Sequence, residues 1–309
     1  MTGKPHTEVV DPEEIKKVVQ NYPELENFLS GNKDNWVEKA FENGNEQLIG
    51  LFYDNKSRES RLEMINNAFK SVDKDEEGSA EIREKIFDDQ SFHDAFAEVQ
   101  MVSKLREIYG NDKVDINPKF GQENPSNPDI LLETDQKNIV VEVTRTSGIS
   151  IEEDENSVEV GKAEAGFVPL SEGNKFGSAI NNKTDQLEPL QDREEVMLAM
   201  KSPNLSLDKM IFDTYLNGQP TVQVITEDNE PFDTRTLPNV PVINLEEKSE
   251  IFDFFLLYDD FGQKQMYASQ EVSKEQIRSL EKKLDLENTR RFVNNIDMDI
   301  DEYRENRYN

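Results

Sequence analysis

The chain has no cysteine and only two histidines, His6 and His93, in 309 residues. Without cysteine there is no disulfide framework, thiolate nucleophile, iron-sulfur cluster or cysteine zinc site, which fits a reducing interior. His6 lies in a polar N-terminal arm, so Ser-His-Asp chemistry and histidine-rich metal sites are poor candidates. Hydrophobic residues are also scarce, at 35%. No apolar run reaches the roughly 18 residues of a membrane span, and no charged-then-apolar leader is present, so a cytoplasmic protein is expected. Basic residues are outnumbered, 35 Lys and Arg against 65 Asp and Glu, for a formal net charge of -30. Self-repulsion on that scale weakens a compact state in dilute buffer, and salt near 1 M, with a Debye length of about 3 Å, screens it.

What is present is enough for a lean core. The apolar blocks IVVEV, VMLAM, TVQVI and IFDFFLLY argue against a wholly disordered chain, the rival explanation of high charge and low hydropathy. The acids are spread over most of the chain rather than gathered in a tail, a pattern that resembles haloarchaeal proteins. By length, two domains are expected at about 150 residues each. Residues 1–88 read as a helical N-terminal domain, with periodic segments DPEEIKKVVQNY, PELENFLS, NWVEKAFENGNEQLIGLFY and SRLEMINNAFKSV. Residues 89–272 read as an α/β domain. It opens with the helix SFHDAFAEVQMVSKLREIYG, a short strand near KVDINPKF and the segment NPDILLETDQKNIVVEVTR. An acidic insertion follows near 146–172, then a helix in KFGSAINNKTDQLEPL, a strand in EEVMLAMKS, a helix in LSLDKMIFDTYLNG, and strands in QPTVQVIT and IFDFFLLYDDFGQKQMYAS. Residues 273–309 read as a C-terminal helix, SKEQIRSLEKKLDLENTRRFVNNI, and an acidic tail.

The segment 127–145 poses a physical problem. Folded about a turn at Asp135 and Gln136, it pairs Leu132 with Ile139 and Ile130 with Val141, and so sets Asp129 opposite Glu142. Ile130, Leu132, Ile139, Val141 and Val143 share one face, while Leu131 and Val140 make the acid-bearing face partly apolar too. A strand pair apolar on both sides belongs inside a layered α/β structure. Opposed like charges about 5 Å apart destabilise such a pair, so something must compensate them. A divalent cation held by carboxylates would do so; acids at a solvated sheet end is the plainer alternative.

The order helix, strand, hairpin, helix, strand, with Pro128-Asp129 on one arm and Glu142-Val143-Thr144 on the other, resembles the PD-(D/E)XK nuclease superfamily, over roughly residues 90–265. The resemblance implies a restriction-endonuclease-like core, a mixed four- to five-stranded sheet flanked by helices. It also implies Mg2+ or Mn2+ on the motif carboxylates and hydrolysis of phosphodiester bonds, with DNA favoured as partner. Carried over residue by residue, Asp129 and Glu142 are the metal ligands and Glu98 is the acid of the preceding helix. Helical geometry gives Glu98 separate support. It falls between Val102 and Leu105, inside the apolar arc of Phe92, Ala95, Phe96, Val99, Val102 and Leu105, where a surface charge is out of place. The family's lysine position is Thr144 here, and Arg145 points to the opposite face. In the next helix, Ile180, Lys183, Leu187 and Leu190 follow 3, 4, 3 spacing, which makes Lys183 the candidate displaced lysine, with Gln186 a weaker one.

Two other readings compete. DKDEEGSAEIRE, residues 73–84, sets Asp73, Asp75, Glu77, Gly78 and Glu84 at EF-hand loop positions 1, 3, 5, 6 and 12, but Ala80 and the following KIFDD depart from the pattern. A solvated loop between helices is the expectation there. The broader alternative is a nuclease-like module without catalysis that binds nucleic acid or protein, or an acidic mimic of nucleic acid. Net negative charge opposes DNA binding at low salt, since phosphate contacts come from Lys and Arg. A groove lined by Lys175, Lys183, Lys201 and Lys209 would offset this locally.

Overall fold

The computed structural model describes residues 11–31, 35–53, 58–120, 127–146, 194–202 and 251–292 apart from 261 and 287, the backbone of 221–225 and 231–236, and scattered helical positions between 176 and 212. The chain is α/β and divides into two compact units, 1–145 and 146–309. The acidic insertion, the C-terminal tail, Lys175 and Gln186 lie outside the described residues.

The first unit begins with α1 (Pro12–Val19), α2 (Pro23–Ser30), α3 (Trp36–Glu42), α4 (Glu46–Gly50) and α5 (Arg58–Phe69). The start of α1 is fixed by Asp11, whose carboxylate accepts from the Glu13 N–H, with Pro12 in the first turn. Asn66 on α5 does the same for α2 from a distance, accepting from the Glu24 and Leu25 N–H groups at 3.0 and 3.1 Å. The segment expected as one helix over NWVEKAFENGNEQLIGLFY is two, because Gly44 takes a left-handed conformation (φ 68°) between them. α6 (Ser79–Ile86) and α7 (Phe92–Tyr109) follow. α7 packs against α5, α6 and β3. Every apolar-arc position from Phe92 to Leu105 is buried, and so is Glu98.

Three antiparallel strands complete this unit: β1 (Val114–Ile116), β2 (Ile130–Leu132) and β3 (Ile139–Arg145). The register is the expected one, Ile130 with Val141, Leu131 with Val140 and Leu132 with Ile139. Thr134 organises the turn: its Oγ1 donates to the Lys137 carbonyl and accepts from the Gln136 and Lys137 N–H groups. Ile130, Leu132, Ile139, Val141 and Val143 on one face, and Val140 and Glu142 on the other, are all buried.

In the second unit, β4 (Glu195–Lys201) runs parallel to β7 (Phe254–Tyr258); β5 (Thr221–Ile225) and β6 (Pro231–Thr236) form a separate antiparallel pair. β7 continues antiparallel to β8 (Lys264–Ser269), and β8 parallel to β9 (Thr289–Phe292), with α8 (Lys274–Leu284) between them in sequence. Phe212 meets Phe176, Phe255 and Tyr267 at ring centroids 5.0 to 5.3 Å apart, an aromatic centre for this core. Among the described residues, seven strands stand besides the β5–β6 pair, more than the four to five expected. The surplus includes β9, in a stretch expected to be helical. α8 ends because Asp285 turns left-handed (φ 53°) with its N–H on the Glu281 carbonyl, while Lys264 donates to the Leu284 carbonyl at 2.7 Å. The chain is thereby free to lay residues 289–292 against β8. Among the described residues no helix is long and apolar enough to cross a membrane.

Candidate functional site

The two opposed acids of the hairpin are compensated first by backbone. Asp129 directly precedes β2, and its N–H donates to Glu142 Oε2 at 3.3 Å, while the Val143 N–H donates to Asp129 Oδ2 at 2.9 Å. Each acid thus accepts from the main chain of the opposite arm. The Asn117 N–H, in turn, bonds the Asp129 carbonyl at 2.8 Å and ties the end of β1 to the same point. Glu142 is fully buried and Asp129 is 5% exposed, so neither sits at a solvated sheet end.

A third acid arrives from α7. Glu98 is 3% exposed, on the helix packed against β3. The cation is Lys85, near the end of α6, whose Nζ lies 2.6 Å from Glu98 Oε1 and 3.1 Å from Asp129 Oδ1. Burial opposes the Lys85 charge, but the Asp129 and Glu98 carboxylates outweigh it and hold the ammonium's pKa above the ordinary lysine value. Burial, with added repulsion from Asp129 and Glu142, pushes the Glu98 carboxyl well above the usual range, although Lys85 pulls the other way. Its second oxygen, Oε2, is buried without a hydrogen-bond partner. Such a buried, unbonded carboxyl oxygen costs about 1–3 kcal/mol and calls for an explanation.

Glu98 and Asp129 therefore share the Lys85 ammonium within the first unit, and Glu142 stands beside them, bonded to the Asp129 N–H. Lys183 belongs to the second unit, on helical turns whose Phe176, Ile180, Thr184 and Leu187 are buried, and is itself half-buried. Lys201 forms an ion pair with Asp260 at 2.7 Å. Thr144, where the family motif has lysine, is half-buried on β3. Lys85, on two of the carboxylates, is not among the residues that the sequence pointed to. A signal for it existed: Ile82, Lys85 and Ile86 follow i, i+3, i+4 spacing, and both isoleucines are buried.

The EF-hand-like loop carries α6 to its place. Asp73 accepts from the Asp75 N–H at 2.9 Å, the Ser79 hydroxyl donates to the Asp73 carbonyl at 2.6 Å, Glu76 pairs with Arg106 and Glu77 with Lys119. Gly78 (φ 89°) passes so close to the end of β1 that a Cβ would collide with the Ile116 carbonyl, and the Asn117 side chain donates to the Gly78 carbonyl at 3.1 Å. These bonds join the start of α6 to β1.

Among the described residues, no three His, Cys, Asp or Glu side chains stand in a metal-ligating arrangement. In the carboxylate cluster, Lys85 and two backbone N–H groups hold the oxygens that a cation would need. The donors are all oxygens, the ligand type of a hard divalent cation, and Glu98 Oε2 is a carboxylate oxygen there without a hydrogen bond. Comparison with protein-family models, curated proteins and solved structures gives no match to this chain.

Proposed function

We propose that the protein is a metal-dependent nuclease that hydrolyses phosphodiester bonds, with DNA the favoured substrate, on a core of restriction-endonuclease-like type. The observation that carries this is the buried, unbonded Glu98 Oε2 beside the Asp129–Glu142 pair, an arrangement that costs stability without contributing to the hydrophobic core. Asp129, Glu142 and Glu98 would hold Mg2+ or Mn2+, which supplies Lewis acidity toward phosphate and acidifies water. The protein's own part is to keep the acids close and dry. The cross-hairpin N–H groups orient Asp129 and Glu142, and α7 delivers Glu98 from the side. Molar salt would screen the net charge of -30 that otherwise repels a polyanion.

The test is cleavage of single- and double-stranded DNA and RNA by the full chain in molar KCl with Mg2+ or Mn2+. Asp129→Asn and Glu142→Gln should abolish cleavage, chelation should stop it, and Lys183→Ala should slow it about 100-fold if Lys183 stabilises charge on the phosphate. Absence of cleavage by the folded protein under every condition refutes the proposal. A specific observation favours the alternative, a non-catalytic nuclease-like module for nucleic acid or protein: Lys85 bridges Glu98 and Asp129 as a structural cation would. That module should bind a partner equally well with and without divalent metal.

A further inference from the structure

The place of Lys85 poses a question for any cation at this cluster. Its ammonium is within hydrogen-bond distance of Glu98 and Asp129, on the oxygens a metal would use. Mg2+ and Mn2+ take carboxylate oxygens at about 2.1 Å and tolerate little distortion. An ammonium on the same oxygens excludes them by space, and its like charge repels them across a poorly solvated gap. The side chain is not locked in place, however. Lys85 is 34% exposed, it lies one residue before the last of α6, and its four-carbon stem can carry the ammonium to water. The helix itself is held at its other end, by Gly78 against Ile116.

We propose that Lys85 is a tethered counter-cation that a divalent metal displaces from Glu98 and Asp129, so that metal loading and release of the Lys85 side chain are one coupled event. The inference rests on the metal-binding reading of the cluster. Without metal, Lys85 bridges Glu98 and Asp129, whose like charges would otherwise push α7 and the hairpin apart. Loading exchanges one positive charge for two, and brings the unbonded Glu98 Oε2 into use. The freed ammonium remains at the rim of the site, where it is available to an anionic ligand. Metal affinity is accordingly weaker than that of an open three-carboxylate site, since each binding event must break the Lys85 bonds.

The experiment is Mn2+ titration of the full chain in molar KCl, by calorimetry or by the paramagnetic resonance of free Mn2+, with activity playing no part. Lys85→Met keeps the stem and removes the charge, and should tighten Mn2+ binding about tenfold or more, the scale of losing a close competing charge. Lys85→Arg keeps the charge and should not tighten it. Equal affinity in wild type and Lys85→Met, both abolished by Asp129→Asn, overturns the displacement and leaves the metal site intact. Weaker binding in Lys85→Met overturns it too, by making Lys85 a support for the metal. Failure of wild type and Lys85→Met alike to bind Mn2+ overturns both proposals together. Should Lys85→Met not fold, the wild type decides. Acylation of Lys85 by an amine-reactive ester, followed by mass spectrometry, should accelerate on Mn2+ saturation as the ammonium leaves the carboxylates. An unchanged or slower rate refutes displacement.

Discussion

Replacing Glu98 by glutamine separates a site held against its own stability from an ordinary ion pair. In the folded protein Glu98 Oε1 accepts from Lys85, and Oε2 accepts from nothing. Glutamine keeps an acceptor for Lys85, whose ammonium also stays on Asp129, so no charge is left stranded. It removes the repulsion from Asp129 and Glu142 and replaces the unbonded oxygen with an amide donor facing acids. An unsatisfied buried carboxyl oxygen costs about 1–3 kcal/mol, and the weaker acceptor toward Lys85 returns about 1 kcal/mol of that, leaving a gain near 1 kcal/mol. The pH dependence has a definite sign. Glu98 has its pKa raised in the folded state above the ordinary 4.5, so its favourable contribution is complete below 4.5 and is lost as pH rises through the folded value. Wild type and Glu98→Gln should therefore be nearly equal at acid pH, with the variant moving ahead as pH rises through the folded value, by about 1 kcal/mol once Glu98 is ionised. Urea denaturation in molar KCl over a pH series measures this, without divalent metal. If Glu98→Gln is instead the less stable protein at the higher pH, the Glu98–Lys85 contact is a net stabilising ion pair and the argument for a functional site fails.

Gly78→Ala should cost about 2 kcal/mol more than Gly44→Ala in the same assay: both residues have positive φ, but only at Gly78 does a Cβ meet backbone, so the difference isolates the collision with Ile116. Equal costs would mean that the α6 junction yields easily. Thermal midpoints should rise from low salt to molar KCl, since the net charge of -30 is screened only when ions are abundant; a flat curve refutes that account. Calorimetry with Ca2+ should detect no saturable site that depends on Glu84, because the loop's Glu76 and Glu77 are paired with Arg106 and Lys119. A site lost in Glu84→Gln would reverse that.

What the sequence made legible was whatever a short-range period determines. The hairpin register follows from alternation on two short arms and a turn at Asp135 and Gln136, and one slipped residue would have turned Glu142 to the other face. Glu98 was legible because a carboxylate inside an apolar helical arc has no cheap explanation. Residues 289–292, expected to continue the C-terminal helix that forms over 274–284, are a strand for the converse reason. Charged residues such as those of LENTRRF satisfy a helical pattern as readily as an edge strand, and the choice is made by Asp285 and by the open edge of β8, a tertiary fact.

Lys85 lies between these cases. The spacing rule that picks out Lys183 beside Ile180 and Leu187 also picks out Lys85 beside Ile82 and Ile86, within a KIFDD stretch that departs from the EF-hand pattern. The order of elements points to the helix after the hairpin, whereas electrostatics places no condition on chain order. Glu98 on α7 and Asp129 of the hairpin take their cation from an element that packs beside them, and α6 packs on α7. A buried charge cluster is therefore better searched by asking which cationic side chains lie on inward helical stripes anywhere in the same unit. By that criterion the pairing of Lys85 with Glu98 and Asp129 follows from physics alone, and its meaning, permanent brace or displaceable guard, turns on whether Mn2+ competes with it.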